Sequence, residues 1–190
     1  MTTSINFILA DLNDGLFAYY TFDNDLEIIS GGDNNLTIKR GNPQFIINSN
    51  TLPLGEGFSG YCPGSNLYDG WNIYNQQDFG FDNASIPEIS FSGWARVTGE
   101  GGGGSPIISK GWVSDGWVLT YDNNHALLVL GGLSNTLESS TLINQNQWYF
   151  FTIVRDSFQT CLWINGVKDI CSASKIPHEN NYAIDVCGSF

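Results

Sequence analysis

Asp23, Asp25 and Glu27 alternate along the chain, so on a continuous strand their carboxylates share one face. Two carboxylates so placed are the machinery of glycoside hydrolysis, one acting as acid and the other as nucleophile. Asn24 and the loop-forming residues beyond it predict that the strand has ended, which makes catalysis the weakest reading of this cluster. A hard cation suits it better, because Asp23, Asp25, Asp33 and Asn34 offer oxygen ligands beside a turn, the donors that Ca²⁺ prefers. The plain alternative is a set of solvated turn residues. A second group is Trp71, Tyr74, Trp112, Asp115 and Trp117. Sugars stack on exposed aromatic rings while neighbouring Asn and Asp accept their hydroxyl hydrogens, so these are the candidates for glycan contact. Against this stands the expectation that most aromatics in a sheet protein are core. His125 and His178 stand alone, with no Ser or Cys near them in a nucleophile pattern.

The elements that position these residues are clearest between Trp148 and Cys171. Trp148 to Arg155 has apolar or aromatic residues on both faces of a period-2 pattern, as an interior strand of a stacked sheet does. Cys161 to Ile164 is a second run, Asn165-Gly166 has the chemistry of a two-residue type I′ turn, and Val167 to Cys171 returns. Within such strands Trp94, Trp148 and Trp163 are expected to be buried. Upstream, Gly15 to Phe22, Leu26 to Ser30, Leu36 to Arg40 and Gln44 to Ile47 read as strands, and Asn48 to Ile86 as irregular and aromatic with a few short strands. Glu88 to Thr98, Ile107 to Lys110, Gly116 to Tyr121, Ala126 to Leu130, Thr136 to Ile143 and Tyr182 to Val186 read as further strands, with a hairpin loop over Asp122 to His125. Gly99 to Ser105 predicts a loop tip and not a phosphate cradle, since no Lys-Ser/Thr follows it. No window carries a helical period, so helix should be minimal.

At 190 residues the chain suits one well-buried domain, here residues 15–190 behind an arm at residues 1–14. A formal charge of −12, with 7 Lys and Arg against 19 Asp and Glu, argues against nucleic acid and anionic membranes. No apolar run approaches the roughly 18 residues of a membrane span. Met1 to Gly15 has neither a basic region nor a signal-peptide core, which predicts synthesis in a cytosol. Cys62, Cys161, Cys171 and Cys187 show no metal-knuckle spacing, and a plain two-residue turn sets Cys161 opposite Ile170. A Cys161–Cys171 bridge then needs a bulge, so the expectation is four reduced, small core residues. Asn35-Leu-Thr37 and Asn83-Ala-Ser85 match glycosylation acceptors, which matter only in a eukaryotic secretory path.

Trp148-Tyr-Phe-Phe-Thr-Ile-Val-Arg-Asp156, followed by Leu162-Trp-Ile-Asn-Gly-Val-Lys168, resembles the strand, turn and "Y-V-N-G-K" segment of laminin G-like, concanavalin A-like jelly-roll domains. Gly15 to Asp23 resembles the opening strand of that family, Ile89 to Ala95 its "F-T-I-S-F-W-V" strand, and Ile107 to Gly111 its "I-I-S-K-G" strand. The resemblance implies an all-β, antiparallel two-sheet sandwich of jelly-roll type. It also implies recognition outside cells and, in some relatives, Ca²⁺ at a loop rim. One departure is that the family closes with a strand reading roughly "I-D-E-V-R-I-Y", and nothing of that kind precedes Phe190. The first strand then has an open edge, to be filled by the arm at Ile5 to Leu9 or by a neighbouring subunit.

These readings converge on a non-enzymatic virion accessory protein, a bacteriophage capsid decoration or tail-associated protein with a lectin-like module. Its expected partners are other virion or coat proteins and a surface glycan, in a homo-oligomer or assembly, with no nucleic acid, no membrane insertion and no cofactor unless Ca²⁺. The alternative is a free or exported carbohydrate-binding lectin, and the remote one a glycoside hydrolase.

Overall fold

A computed structural model of the chain describes residues 19–27, 29, 35–47, 52, 58–62, 70–73, 88–98, 105–111, 116–173 and 183–187. Their strands are β1 (Thr37–Arg40), β2 (Gln44–Ile47), β3 (Phe58–Tyr61), β4 (Gly70–Ile73), β5 (Ile89–Arg96), β6 (Ser105–Lys110), β7 (Trp117–Asp122), β8 (His125–Leu130), β9 (Thr136–Leu142), β10 (Trp148–Arg155), β11 (Thr160–Ile164), β12 (Val167–Ser172) and β13 (Ile184–Val186). One 3-10 turn, Leu133–Asn135, is the sole helical element among the described residues. Seven strands form one antiparallel sheet in the order β1-β4-β13-β6-β7-β8-β9. Four form a second, β12-β11-β10-β5, and β2 pairs with β3 in a separate ribbon. The expected all-β, antiparallel jelly-roll sandwich is the fold observed.

The alternation in β10 shows why two layers form. Tyr149, Phe151 and Ile153 are buried, while Trp148, Phe150 and Thr152 between them are half-buried on the other face. The inward set joins one core with Trp117, Leu119, Leu128 and Leu130 of the larger sheet and Leu162 and Ile164 of β11. Burying a side chain of this size contributes about 1.5–3 kcal/mol. A second cluster gathers around Trp71 with Leu36 and Ile184. Phe22 meets the Trp71 ring edge-on at 5.3 Å and Phe45 stacks on it at 5.8 Å. Gly60 makes room for that ring, since a Cβ there would lie 2.7 Å from its Cη2 atom.

Local turn chemistry behaves as the residue types dictate. Asn165 and Gly166 have φ of 52° and 78°, both left-handed as a type I′ turn needs. Asn123 and Asn124, at 47° and 68°, do the same between β7 and β8, where Asp122 pairs with His125. The hairpin therefore turns on two residues, inside the expected Asp122 to His125 loop.

Three expectations need correction. The opening strand is absent from its described part: Tyr19 to Phe22 is not extended into a ladder, and the positive φ of Phe22 (58°) and Asn24 (64°) turns the chain away. The rest of that segment, the arm at residues 1–14 and the loop at residues 99–104 lie outside the described residues. Second, the strand expected at Tyr182 to Val186 forms as β13 but lies inside the larger sheet, where no strand was expected to close it. β13 sits between β4 and β6, with Asp185 opposite both Asn72 and Ser109, so the end of the chain becomes an interior strand of the larger sheet. Third, the cysteines are paired, Cys62 with Cys187 and Cys161 with Cys171. The bulge that the second bridge requires is present: Leu162 pairs with Ile170 and Trp163 with Lys168, leaving Asp169 as the extra residue and returning Cys171 to the face of Cys161. Cys187 reaches Cys62 because β13 lies inside the larger sheet, where the Cys187 amide also donates to the Ile107 carbonyl at 3.0 Å.

Candidate functional site

The outward face of the four-stranded sheet carries the aromatic residues that the core does not take. Its register is set by β10, which pairs with β5 on one side and β11 on the other. Pairing puts Trp94 opposite Phe150, with ring centroids 5.2 Å apart and planes inclined by 49°. Arg96 falls opposite Trp148, and its guanidinium carbon lies 5.3 Å from the centre of that ring. On β11, Trp163 faces Lys168 across the hairpin, with Nζ 5.2 Å from the ring centre. Cation–π contacts of this kind contribute roughly 0.5–1 kcal/mol at exposed positions and fix the orientation of both groups.

Trp94, Trp148, Phe150, Asn165 and Gly166 line a shallow depression of about 480 Å³ on this face. Trp94 is 41% exposed, a large fraction for an indole in the middle of a strand. The Asn165-Gly166 turn forms one wall and is tied to β10 twice. The Asn165 amide donates to the Phe150 carbonyl at 2.8 Å, and the Phe150 amide donates to Asn165 Oδ1 at 2.9 Å. With Oδ1 engaged, the carboxamide Nδ2 of Asn165 is left as a donor at the rim. The indole N–H groups of Trp148 and Trp163 are shielded from solvent and have no acceptor among the described residues. The arrangement offers apolar ring faces, one neutral donor and one guanidinium. Among the described residues, no Asp or Glu projects from this face to serve as a general acid or base.

The sequence-derived candidates lie elsewhere. Trp71 and Trp117 are each 1% exposed and form the middle of the two core clusters, which corrects their assignment as sugar-stacking residues: neither ring has a face open to a ligand. Tyr74, Trp112 and Asp115 lie outside the described residues, as do Asp33 and Asn34. Asp23 and Asp25 are exposed, but they cap amides in a bend. Asp23 Oδ1 accepts from the Phe58 amide at 3.2 Å, and Asp25 Oδ1 from the Glu27 amide at 3.3 Å. The left-handed Asn24 between them breaks the alternation that would have aligned their carboxylates. No cluster of three or more His, Cys, Asp or Glu able to hold a metal occurs among the described residues. His125 opens β8, with Nδ1 2.8 Å from the Ser139 carbonyl and Nε2 3.7 Å from Glu138. Asp185, wholly buried beside Asn72 and Ser109, is closed to any ligand.

Trp94, Trp148 and Trp163, expected in the core, are thus the half-exposed ones. The signal that could have found them is the double-faced pattern of β10: apolar residues on both faces of a strand demand a second layer on each side or a functional outer face. No protein-family model matches this sequence, and no curated protein matches it. Solved structures do. Domain 4 of an extracellular arabinanase from Geobacillus stearothermophilus, in complex with arabinotriose, aligns with a TM-score of 0.62 at 16% identity, over 92% of this chain and 84% of that domain. The binding domain of botulinum neurotoxin serotype D/C aligns with a TM-score of 0.67 at 18% identity, and a botulinum neurotoxin DC binding domain in complex with rat synaptotagmin II with 0.61 at 17%. What they share with this chain is the β-sandwich. The chain covers 93% of its own length in both toxin alignments but 44% of the toxin chains, so it spans less than half of those proteins.

Proposed function

We propose that this chain is a non-catalytic carbohydrate-recognition module and that the outward face of the four-stranded sheet is its binding surface. The observation that carries this is the half-exposed row of Trp94, Phe150 and Trp148 beside the Asn165-Gly166 turn. Sugar rings present flat C–H faces to such aromatics and hydroxyls to donors such as Asn165 Nδ2. The arabinanase domain, solved with arabinotriose, supports the reading by analogy of fold. The two disulfides favour an oxidising setting, hence an exported protein or one exposed on a particle after release. A capsid-decorating or tail-associated role on a virion is the narrower form of this proposal. Its motive in an open sheet edge is weakened by β13, which occupies the interior of the larger sheet. Ca²⁺ near Asp23, Asp25, Asp33 and Asn34 is a separate, secondary element of the proposal, and a thermal midpoint unchanged by added Ca²⁺ would remove it.

The test is binding of the intact, oxidised chain to a broad panel of neutral and acidic glycans, repeated with Trp94→Ala and Phe150→Ala. The expected result is glycan binding that each substitution lowers at least tenfold while the urea midpoint is retained. Absence of binding across the panel, or binding indifferent to both substitutions, would overturn the proposal.

A further inference from the structure

We infer that the glycan taken by this face is an extended, carboxylate-bearing oligosaccharide whose acid group pairs with Arg96, an inference that rests on the binding-face reading above. The chain has 7 basic residues against 19 acidic ones, so a face chosen at random should be acid-rich. This one is the reverse: Arg96 and Lys168 project from it, and no described Asp or Glu does. The nearest carboxylate in sequence on these strands, Asp169, is the bulged residue of β12 and is turned to β9, where it accepts hydrogen bonds from Ser140 and Thr141. Glu88 and Asp156 lie beyond the ends of β5 and β10, at the opposite end of the sheet from Arg96. Asp156 lies within electrostatic reach of Lys168, whose charge helps to lower its carboxyl, so Arg96 is the cation with no described carboxylate near it. Eight residues at about 3.3 Å each put Glu88 roughly 26 Å from Arg96.

Arg96 has no carboxylate partner among the described residues, and its guanidinium lies over Trp148 at the border of the depression. A guanidinium seated on an indole is ordered before any ligand arrives, and its N–H edges stay free for the two-point pairing that a carboxylate accepts. Lys168 occupies the other side. Counting four residues along β5 and three strand spacings of about 4.8 Å across the sheet sets the Cα atoms of Arg96 and Lys168 roughly 20 Å apart on a diagonal. Phe150, Trp94 and Trp163 lie along that diagonal. The track is longer than one sugar, which is why the ligand is an oligosaccharide and not a single residue. The global negative charge does not forbid this, because at physiological ionic strength charges beyond about 8 Å are screened and the local cations decide.

The experiment is isothermal titration of the oxidised chain with oligogalacturonate, oligoalginate and oligoglucuronate fragments, each also as its carboxyl-reduced, neutral counterpart, at low and high salt. The expected result is binding of at least one native fragment roughly tenfold tighter than its reduced form, weakening as salt rises. Arg96→Gln should abolish that preference, Arg96→Lys should restore part of it, and Lys168→Gln should lower affinity for longer fragments more than for shorter ones. Equal binding of native and reduced fragments, or a preference untouched by Arg96→Gln, overturns the inference and leaves the binding face standing. Failure of every acidic fragment alongside binding of a neutral glycan in the broad panel does the same. Failure of all glycans overturns both.

Discussion

Asp169 reaches across the edge of the sandwich to Thr141, taking its amide at 2.9 Å and its hydroxyl at 2.6 Å on one carboxylate oxygen. The other oxygen accepts from the Ser140 amide at 2.6 Å. The bulge that lets Cys171 face Cys161 is also what frees Asp169 from its own ladder to join β12 to β9. One extra residue in a hairpin therefore closes an edge of the sandwich and permits a disulfide.

Asp169→Ala leaves the Ser140 and Thr141 amides without this acceptor. Charge-assisted hydrogen bonds of this kind contribute about 1.5–3 kcal/mol when buried, and partial exposure here reduces that, so a loss of about 2 kcal/mol is expected. Asp169→Asn, which keeps one acceptor oxygen, should fall between. Urea unfolding with an unchanged slope measures both, and a loss below about 0.5 kcal/mol for the alanine variant contradicts the edge-closing role.

The two disulfides should differ in weight. In the chain-entropy account the stabilisation grows with the loop closed, and the sequence separations are 125 for Cys62–Cys187 and 10 for Cys161–Cys171. The estimates are about 5 and about 3 kcal/mol respectively. Paired Cys→Ser variants compared by denaturant midpoint should show the long-range bridge mattering more, and non-reducing peptide mapping should recover both pairs.

A core tryptophan of the larger sheet and an outer-face tryptophan of the smaller one should separate cleanly. Trp71→Ala empties the middle of a core cluster and should cost about 3–5 kcal/mol, while Trp94→Ala on the outer face should cost under about 1 kcal/mol. Gly60→Ala should also destabilise, because its new methyl meets the Trp71 ring. Equal losses at Trp71 and Trp94 would contradict the division into core and exposed face.

Two titrations bound the pH range. The Asp156 carboxyl is held below its ordinary 3.8 by hydrogen bonds from the Phe158 amide, then the Gln159 amide. A carboxyl lowered in the folded state adds stability above its unfolded pKa, and that contribution is lost as pH falls through the folded value. Asp156→Ala should therefore flatten the acid limb of stability against pH. Burial pushes the Tyr20 phenol up from 10.0 to about 12. Its contribution is intact below pH 10.0 and is lost as pH rises toward about 12, so Tyr20→Phe should be relatively more stable than the parent in that interval. Phenolate absorbance of the parent should show one tyrosine titrating late.

Local pattern in the sequence determined what depends on near neighbours. The alternation of Trp148 to Arg155 specifies β10 to the residue, and Asn165-Gly166 specifies its turn, because pleat and left-handed φ are properties of a few consecutive residues. Tertiary structure decided everything that depends on which face turns inward and which distant strand becomes a neighbour. Trp71 and Trp117 are core while Trp94 is exposed because inter-sheet packing, invisible in a period-2 pattern, chooses the inner face. Cys62 meets Cys187 because β13 lies between β4 and β6, and Arg96 meets Trp148 because β5 pairs with β10 in one register out of many. Two pairs at the centre of the candidate site, Trp94 with Phe150 and Arg96 with Trp148, join residues more than 50 positions apart, and no local rule reaches that far.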